Sequence, residues 1–194
     1  MNKIKDVLSN HGVIAFPTET VCGFGIAFDD EIAFNKLNQI KGKRENKPYT
    51  LMLGEINDIE KYACINELSK KIINAFMPGD ITILLKAKEG LPFYVTLGSG
   101  IVGIRVSSHN LTRNIINTFG KPLLVPSLNR SNEPPCLDIE QAKLIFGKEI
   151  DLYIDGYAGG KKPSTIIDCC DKVKIIRYGD ITKEDIEKVL GEKI

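Results

Sequence analysis

Apolar residues at positions 68, 72, 73 and 76 recur at helical spacing and stop at Pro78-Gly79. That is the pattern of an amphipathic helix closed by residues that cannot continue it. Residues 2–10 predict a short helix with Ile4, Val7 and Leu8 on one face. Asp29 or Asp30 caps a helix that runs to about Lys41, with Ala33, Leu37 and Ile40 on its buried side. LTRNIINTF closes at Gly120, and DIEQAKLIF, starting at Asp138, closes at Gly147. Thr182, with Asp185 three residues on, opens a last helix that stops near Gly191. Between these helices lie short apolar runs that predict strands: 13–16, 50–53, ITILLKA from Ile81, IVGIRV from Ile101 and 122–126. DLYID, STIID and KVKIIRY add three more near the C-terminus. Strands and helices mix without strict βαβ alternation, which predicts one α/β domain with an open mixed sheet and flanking helices.

Composition narrows the class of protein. With 194 residues the chain can bury a substantial core. Its 26 basic and 25 acidic residues nearly cancel, so nucleic acid is not held by bulk charge, though a local basic patch stays open. The N-terminus has no long apolar run, so the reading is a cytoplasmic protein without a membrane partner. Five cysteines (22, 64, 136, 169 and 170) show no CxxC pair, and the chain has two histidines. A zinc site of the usual spacing is not expected. The cysteines read as buried, small, reduced residues.

Four polar clusters interrupt the apolar pattern. In FPTETVCGFG, residues 16–25, a strand ends in two hydroxyls and a carboxylate and then in glycine-punctuated backbone. That is a poor way to build a core and a reasonable way to build a pocket wall. KGKRENKP, residues 41–48, holds four cations. It reads either as a solvated turn answering the helix dipole or as a polyphosphate clamp. Ser127 and Asn129 alternate after an apolar strand and face one side at strand spacing. Ser164 and Thr165 open another strand. Arg105 and Arg177 interrupt apolar strands, and buried guanidinium groups require carboxylate or phosphate partners from the protein or a ligand. His109 follows a strand and reads as structural, bonding backbone. No GxGxxG or GxxxxGK[ST] follows a strand.

Taken in order, these clusters resemble the Sua5/YrdC/YciO/YwlC family. PTETVCGF matches the family's PT[DE]TVYGL at all but two positions. Lys41-Gly42-Lys43 stands where the family has Lys-x-Arg, with Arg44 one place later. Ser127-Leu128-Asn129, Ser164-Thr165-Ile166-Ile167-Asp168 and Arg177-Tyr178-Gly179 complete the series. Cys22 replaces the family's usual tyrosine and Met52 a common histidine.

The resemblance implies a single YrdC-like domain over residues 1–194, without a C-terminal Sua5 domain, and a basic concave face. It implies synthesis of threonylcarbamoyl-AMP from ATP, L-threonine and bicarbonate, with Mg²⁺ arriving on the nucleotide. That product serves threonylcarbamoyl modification of tRNA through downstream transfer proteins. The resemblance assigns Thr20, Arg105 and Ser164 to threonine, and Lys41, Lys43, Arg44, Lys47, Ser127, Asn129 and Arg177 to the nucleotide. No side-chain nucleophile is required, since positioning and charge neutralisation carry phosphoryl chemistry of this kind. Two other readings stay open. One is a tRNA- or double-stranded-RNA-binding module using Lys41, Lys43, Arg44, Lys47, Arg130, Lys161 and Lys162. The other is a nucleotide-binding paralogue with a different acceptor.

Overall fold

The structure, a computed structural model, describes residues 2–42 and 47–194. Lys43 and Arg44 lie outside the described residues. The helices are α1 (Asn2–Ser9), α2 (Glu31–Lys41), α3 (Ile59–Tyr62), α4 (Glu67–Phe76), α5 (Phe93–Thr96), α6 (Asn110–Phe119), α7 (Ile139–Phe146) and α8 (Lys183–Leu190). The strands are β1 (Ile14–Phe16), β2 (Gly23–Ala27), β3 (Leu51–Leu53), β4 (Ile81–Lys86), β5 (Ile101–Val106), β6 (Leu123–Leu124), β7 (Leu152–Tyr153), β8 (Thr165–Asp168) and β9 (Lys174–Arg177). Among the described residues the strands form one sheet in the order β7-β1-β2-β6-β3-β5-β4-β8-β9. β1/β7, β3/β5 and β4/β8 pair in parallel, and the other neighbours are antiparallel. The mixed α/β expectation holds.

Local chemistry sets the element ends. Asp30 accepts from the Ala33 N–H at the start of α2, and Asp138 caps α7 through Gln141. Thr182 and Asp185 form a reciprocal capping box on α8, as the spacing predicts. Gly120 ends α6 in the left-handed region, where a side chain would be strained. Four elements differ from the sequence reading. β2 lies in the GFGIA stretch, whose glycines hide its strand character, and its five residues are all buried. α3 and α5 are four-residue helices, too short for periodicity to reveal. β6 is only two residues of the expected 122–126 segment.

Period-2 alternation sorts the strand residues onto two faces. On one face Ala15, Phe24, Leu51, Leu53, Ile83, Ile104 and Leu124 join the main core, packed with α2, α4, α7 and α8. On the other face Ile14, Phe16, Met52 and Leu123 pack with Leu8 of α1 and with Ile115 and Ile116 of α6. That second layer is not apolar across the whole sheet. Met52 pairs in register with Arg105, and Thr82, Ile166 and Arg177 pair in series across β4, β8 and β9. One step beyond the Ile83–Ile104 pair brings Thr82 beside Arg105. The second face therefore changes from an apolar layer under α1 and α6 to a polar floor.

Candidate active site

The polar floor opens into a cavity of about 440 Å³. Thr20, Arg105, Ser164 and Arg177 line one part of it. Lys41, Lys47, Ser127 and Asn129 line another. The fold thus brings together every described residue that the sequence reading assigns to threonine or the nucleotide, from segments more than a hundred positions apart. Among the described lining residues four are basic and none is acidic, which gives the concavity its positive character.

At the amino-acid end, the hydroxyls are ordered by a chain of bonds. Thr18 Oγ1 donates to the Val21 carbonyl at 2.7 Å and lies 3.0 Å from Thr20 Oγ1. The Thr18 proton is thereby committed, so the Thr20 hydroxyl donates to Thr18 and accepts from Arg105 Nη2 at 3.0 Å. Arg105 Nε and Nη2 both reach Glu19 Oε1, at 2.9 and 2.5 Å. Ser107 Oγ donates to the other oxygen of Glu19. The buried guanidinium thus has its carboxylate partner within the protein. Glu19, the carboxylate of the PTET stretch, has no assigned role in the sequence reading; the signal for one is the need of Arg105 for an anion.

Ser164 Oγ meets Thr82 Oγ1 at 2.8 Å. Arg177 donates through Nε and Nη2 to the Ser164 carbonyl at 3.0 and 2.9 Å, and through Nη2 to its hydroxyl at 3.2 Å. As a whole residue Arg177 is exposed, but desolvation of its guanidinium, then repulsion from Arg105, holds its pKa below the ordinary arginine value. A second cation close to Arg105 disposes this end of the cavity to accept an anion.

At the other end, Lys41 is buried and its ammonium donates to Ser127 O at 2.7 Å, Asn129 O at 2.9 Å and Asn129 Oδ1 at 3.0 Å. Ser127 Oγ donates to Asn129 Oδ1 at 2.8 Å, so these two side chains do share one side. Ser131, which has no part in the sequence reading, also lines the cavity, and its buried hydroxyl has no partner among the described residues.

Two readings are corrected. The side chain of His109 does not bond backbone: among the described residues its buried Nδ1 has no partner, while its backbone N–H donates to Ser107 Oγ. Cys64 is exposed, unlike buried Cys22, Cys136 and Cys169. Cys22 lines the cavity, and burial, then the neighbouring Cys136, pushes its thiol up to about 12. Of the cations named for an RNA-binding reading, Arg130 pairs with Glu149, donates to the Ile40 carbonyl and lies over the Phe146 ring at 4.9 Å. Lys162 pairs with Asp180 at 3.2 Å.

The family model for Sua5, YciO and YrdC, described as telomere recombination, matches residues 6–179. The threonylcarbamoyl-AMP synthase of Bacillus subtilis is 33% identical over 189 residues, covering 95% of this chain. This chain spans only 55% of that relative's length. The threonylcarbamoyl-AMP synthase of Buchnera aphidicola subsp. Baizongia pistaciae is 32% identical, covering 92% of this chain and 97% of its own. Pyrococcus abyssi Sua5, solved in complex with L-threonine, superposes with a TM-score of 0.92 at 29% identity, over 98% of this chain and 58% of that one. Escherichia coli YciO gives 0.87 at 25% identity, over 95% and 91%. With a family model that spans most of the chain and relatives above 30% identity that cover more than nine-tenths of it, this protein belongs to the Sua5/YciO/YrdC family.

Proposed function

We propose that this protein makes threonylcarbamoyl-AMP and pyrophosphate from L-threonine, bicarbonate or CO2, and ATP. The observation that carries the reading is a cavity whose described lining is basic and hydroxyl-rich and includes no carboxylate. A threonine carboxylate and a triphosphate both require such a lining. Curated relatives with the synthase name, and a Sua5 neighbour solved with L-threonine, support it.

In this reading the threonine amine takes up CO2 as a carbamate. A carbamate oxygen then bonds to the α-phosphorus of ATP as the bond to the β-phosphate bridge breaks, and its electron pair leaves with pyrophosphate. Arg105 holds the amino-acid carboxylate, its guanidinium oriented by Glu19. The Thr20 and Ser164 hydroxyls fix the rest of the amino acid. Ser127 and Asn129, ordered by Lys41, hold the nucleotide or its metal-bound phosphates, with Lys47 and Arg177 adding positive charge. Lys43 and Arg44, which follow Lys41 in sequence, are the further cations that this reading assigns to the phosphates. Catalysis is positioning and neutralisation of charge on the transferring phosphorus.

Mg²⁺ enters with ATP and supplies charge on the phosphates. The lining offers hydroxyl and amide oxygens and cations, a donor set that leaves the ion to phosphate oxygens and water, with Ser127 and Asn129 nearest in kind. The product feeds threonylcarbamoylation of adenosine 37 in cytoplasmic tRNAs that read ANN codons, through downstream transfer proteins. Among the described residues no helix is long and apolar enough to cross a membrane.

The test is pyrophosphate release from Mg-ATP, with and without L-threonine and bicarbonate, against serine as a control. Release that requires both threonine and bicarbonate is the expected result. No release from folded protein that still binds ATP overturns the threonine assignment and directs the search to another acceptor. Cys22 and Met52, both in the cavity lining, would then be the first positions to examine.

A further inference from the structure

Among the described residues, the wall that carries Thr18 and Thr20 has no hydrogen-bonded strand partner of its own. Its backbone is instead gripped by residues 156–160. Gly159 N–H donates to the Thr18 carbonyl at 2.8 Å, and Gly160 N–H to the Thr20 carbonyl at 2.9 Å. The other side of this segment is tied to the start of α7: Ala158 N–H donates to Leu137 O, and Ile139 N–H to Gly156 O. Four residues after Gly160 the chain reaches Ser164, which lines the same cavity as Thr20.

The approach is close enough to favour glycine. A Cβ on Gly159 would lie 3.0 Å from Glu19 Cα and 3.0 Å from Glu19 O. One on Gly160 would lie 3.0 Å from Glu19 O and 3.0 Å from Thr20 O. These contacts are to backbone, so a side chain can be admitted only if one of the two segments moves. Neither glycine has a positive φ, so the cost of substitution is displacement rather than backbone strain.

We propose that Gly159 and Gly160 are positioning residues that set the spacing between Thr20 and Ser164, and with it the grip on the amino acid. The inference rests on the reading that these two hydroxyls hold L-threonine. Gly159 is exposed, so nothing in core packing accounts for glycine there. A displacement of a few tenths of an ångström loosens an amino-acid site more than a triphosphate site held by many charges.

The experiment compares the wild type with Gly160→Ala and Gly160→Val by titration calorimetry of L-threonine and, separately, of ATP. Amide exchange over residues 17–22 and 156–164 is measured alongside. The expected result is a threonine Kd raised about 3- to 10-fold in the alanine variant and further in valine, with the ATP Kd changed by less than about 2-fold. Exchange in 17–22 quickens in parallel. Equal losses for both ligands, or unchanged threonine affinity with faster exchange, overturn the proposal. If the wild type binds no L-threonine, the site reading fails and the exchange data alone decide whether the glycines hold the wall. If neither variant folds, the wild-type amides decide: protection at Gly159 and Gly160 supports the grip, and free exchange there ends it.

Discussion

Glu19 and Arg105 form an ion pair beneath the cavity, 2.5 Å apart, with only 9% and 7% of their side chains exposed. Arg105 lines the cavity and Glu19 does not. The carboxylate therefore occupies the Nε edge of the guanidinium from behind, while Arg105 faces the ligand space. Ser107 and Thr20 satisfy further groups of the pair.

Removing one partner leaves a buried charge uncompensated. Glu19→Ala should lower stability by about 3–5 kcal/mol, read by urea unfolding. A double variant, Glu19→Leu with Arg105→Leu, should recover part of that loss, because two apolar side chains leave no orphaned ion. A double variant as unstable as the sum of its singles would show that the pair is not coupled as described.

Lys41 organises the Ser127–Asn129 turn by donating to three oxygens of that turn. Lys41→Met keeps the stem and removes the donors. It should cost about 1–3 kcal/mol, since buried carbonyls lose their partner, and it should weaken ATP binding while leaving L-threonine affinity nearly unchanged. Calorimetry with each ligand checks this. Wild-type ATP affinity in the variant would remove Lys41 and the turn from the nucleotide site.

The cysteines should react unequally. Burial raises the Cys22 and Cys169 thiols to about 12, and burial with the Asp168 hydrogen bond does the same for Cys170. At pH 8 only roughly one part in ten thousand of such a thiol is thiolate. Cys64 is exposed. Brief treatment of the native protein with iodoacetamide should alkylate Cys64 alone, as mass spectrometry of the digest would report. Early labelling of Cys22 would mean that the cavity opens far more widely than its walls suggest.

Asp80 titrates in the direction that burial dictates. Desolvation, then the negative charge of Glu19, raises its pKa above the ordinary aspartate value. The folded state thus holds this proton more tightly than the unfolded chain. Ionised Asp80 costs stability at neutral pH, and that cost disappears as pH falls through the raised native value toward the unfolded one. Asp80→Asn should therefore be more stable than wild type at pH 7, with the gain shrinking toward pH 4. Urea midpoints for the two proteins across that range measure it. A gain that grows on acidification would contradict the assignment.

Much of the architecture was legible in the chain. The stripe ending at Pro78-Gly79 is α4, Asp30 is the one of the two expected aspartates that caps α2, and Thr182 caps α8 as its spacing predicts. These signals are local: a cap or a period is complete within a few residues. The GFGIA strand was missed because glycine carries no β signal, and only burial between β1 and β6 makes it a strand. The candidate site residues were found as polar interruptions of apolar strands, and that signal too is read one segment at a time.

The order of residues alone carries the mixed α/β class, the ends of the longer helices, the family motifs and the need of two strand arginines for partners. Tertiary structure alone decided what those partners are. Arg105 found a carboxylate in Glu19, 86 positions away, and Arg177 found the backbone and hydroxyl of Ser164 instead of an anion. It also decided that Gly159 and Gly160 lie on the Thr18–Thr20 backbone. The physical reason is range. Hydrophobic period and capping are set by neighbours in sequence, whereas ion pairing and close backbone approach depend on which strands the whole sheet brings side by side.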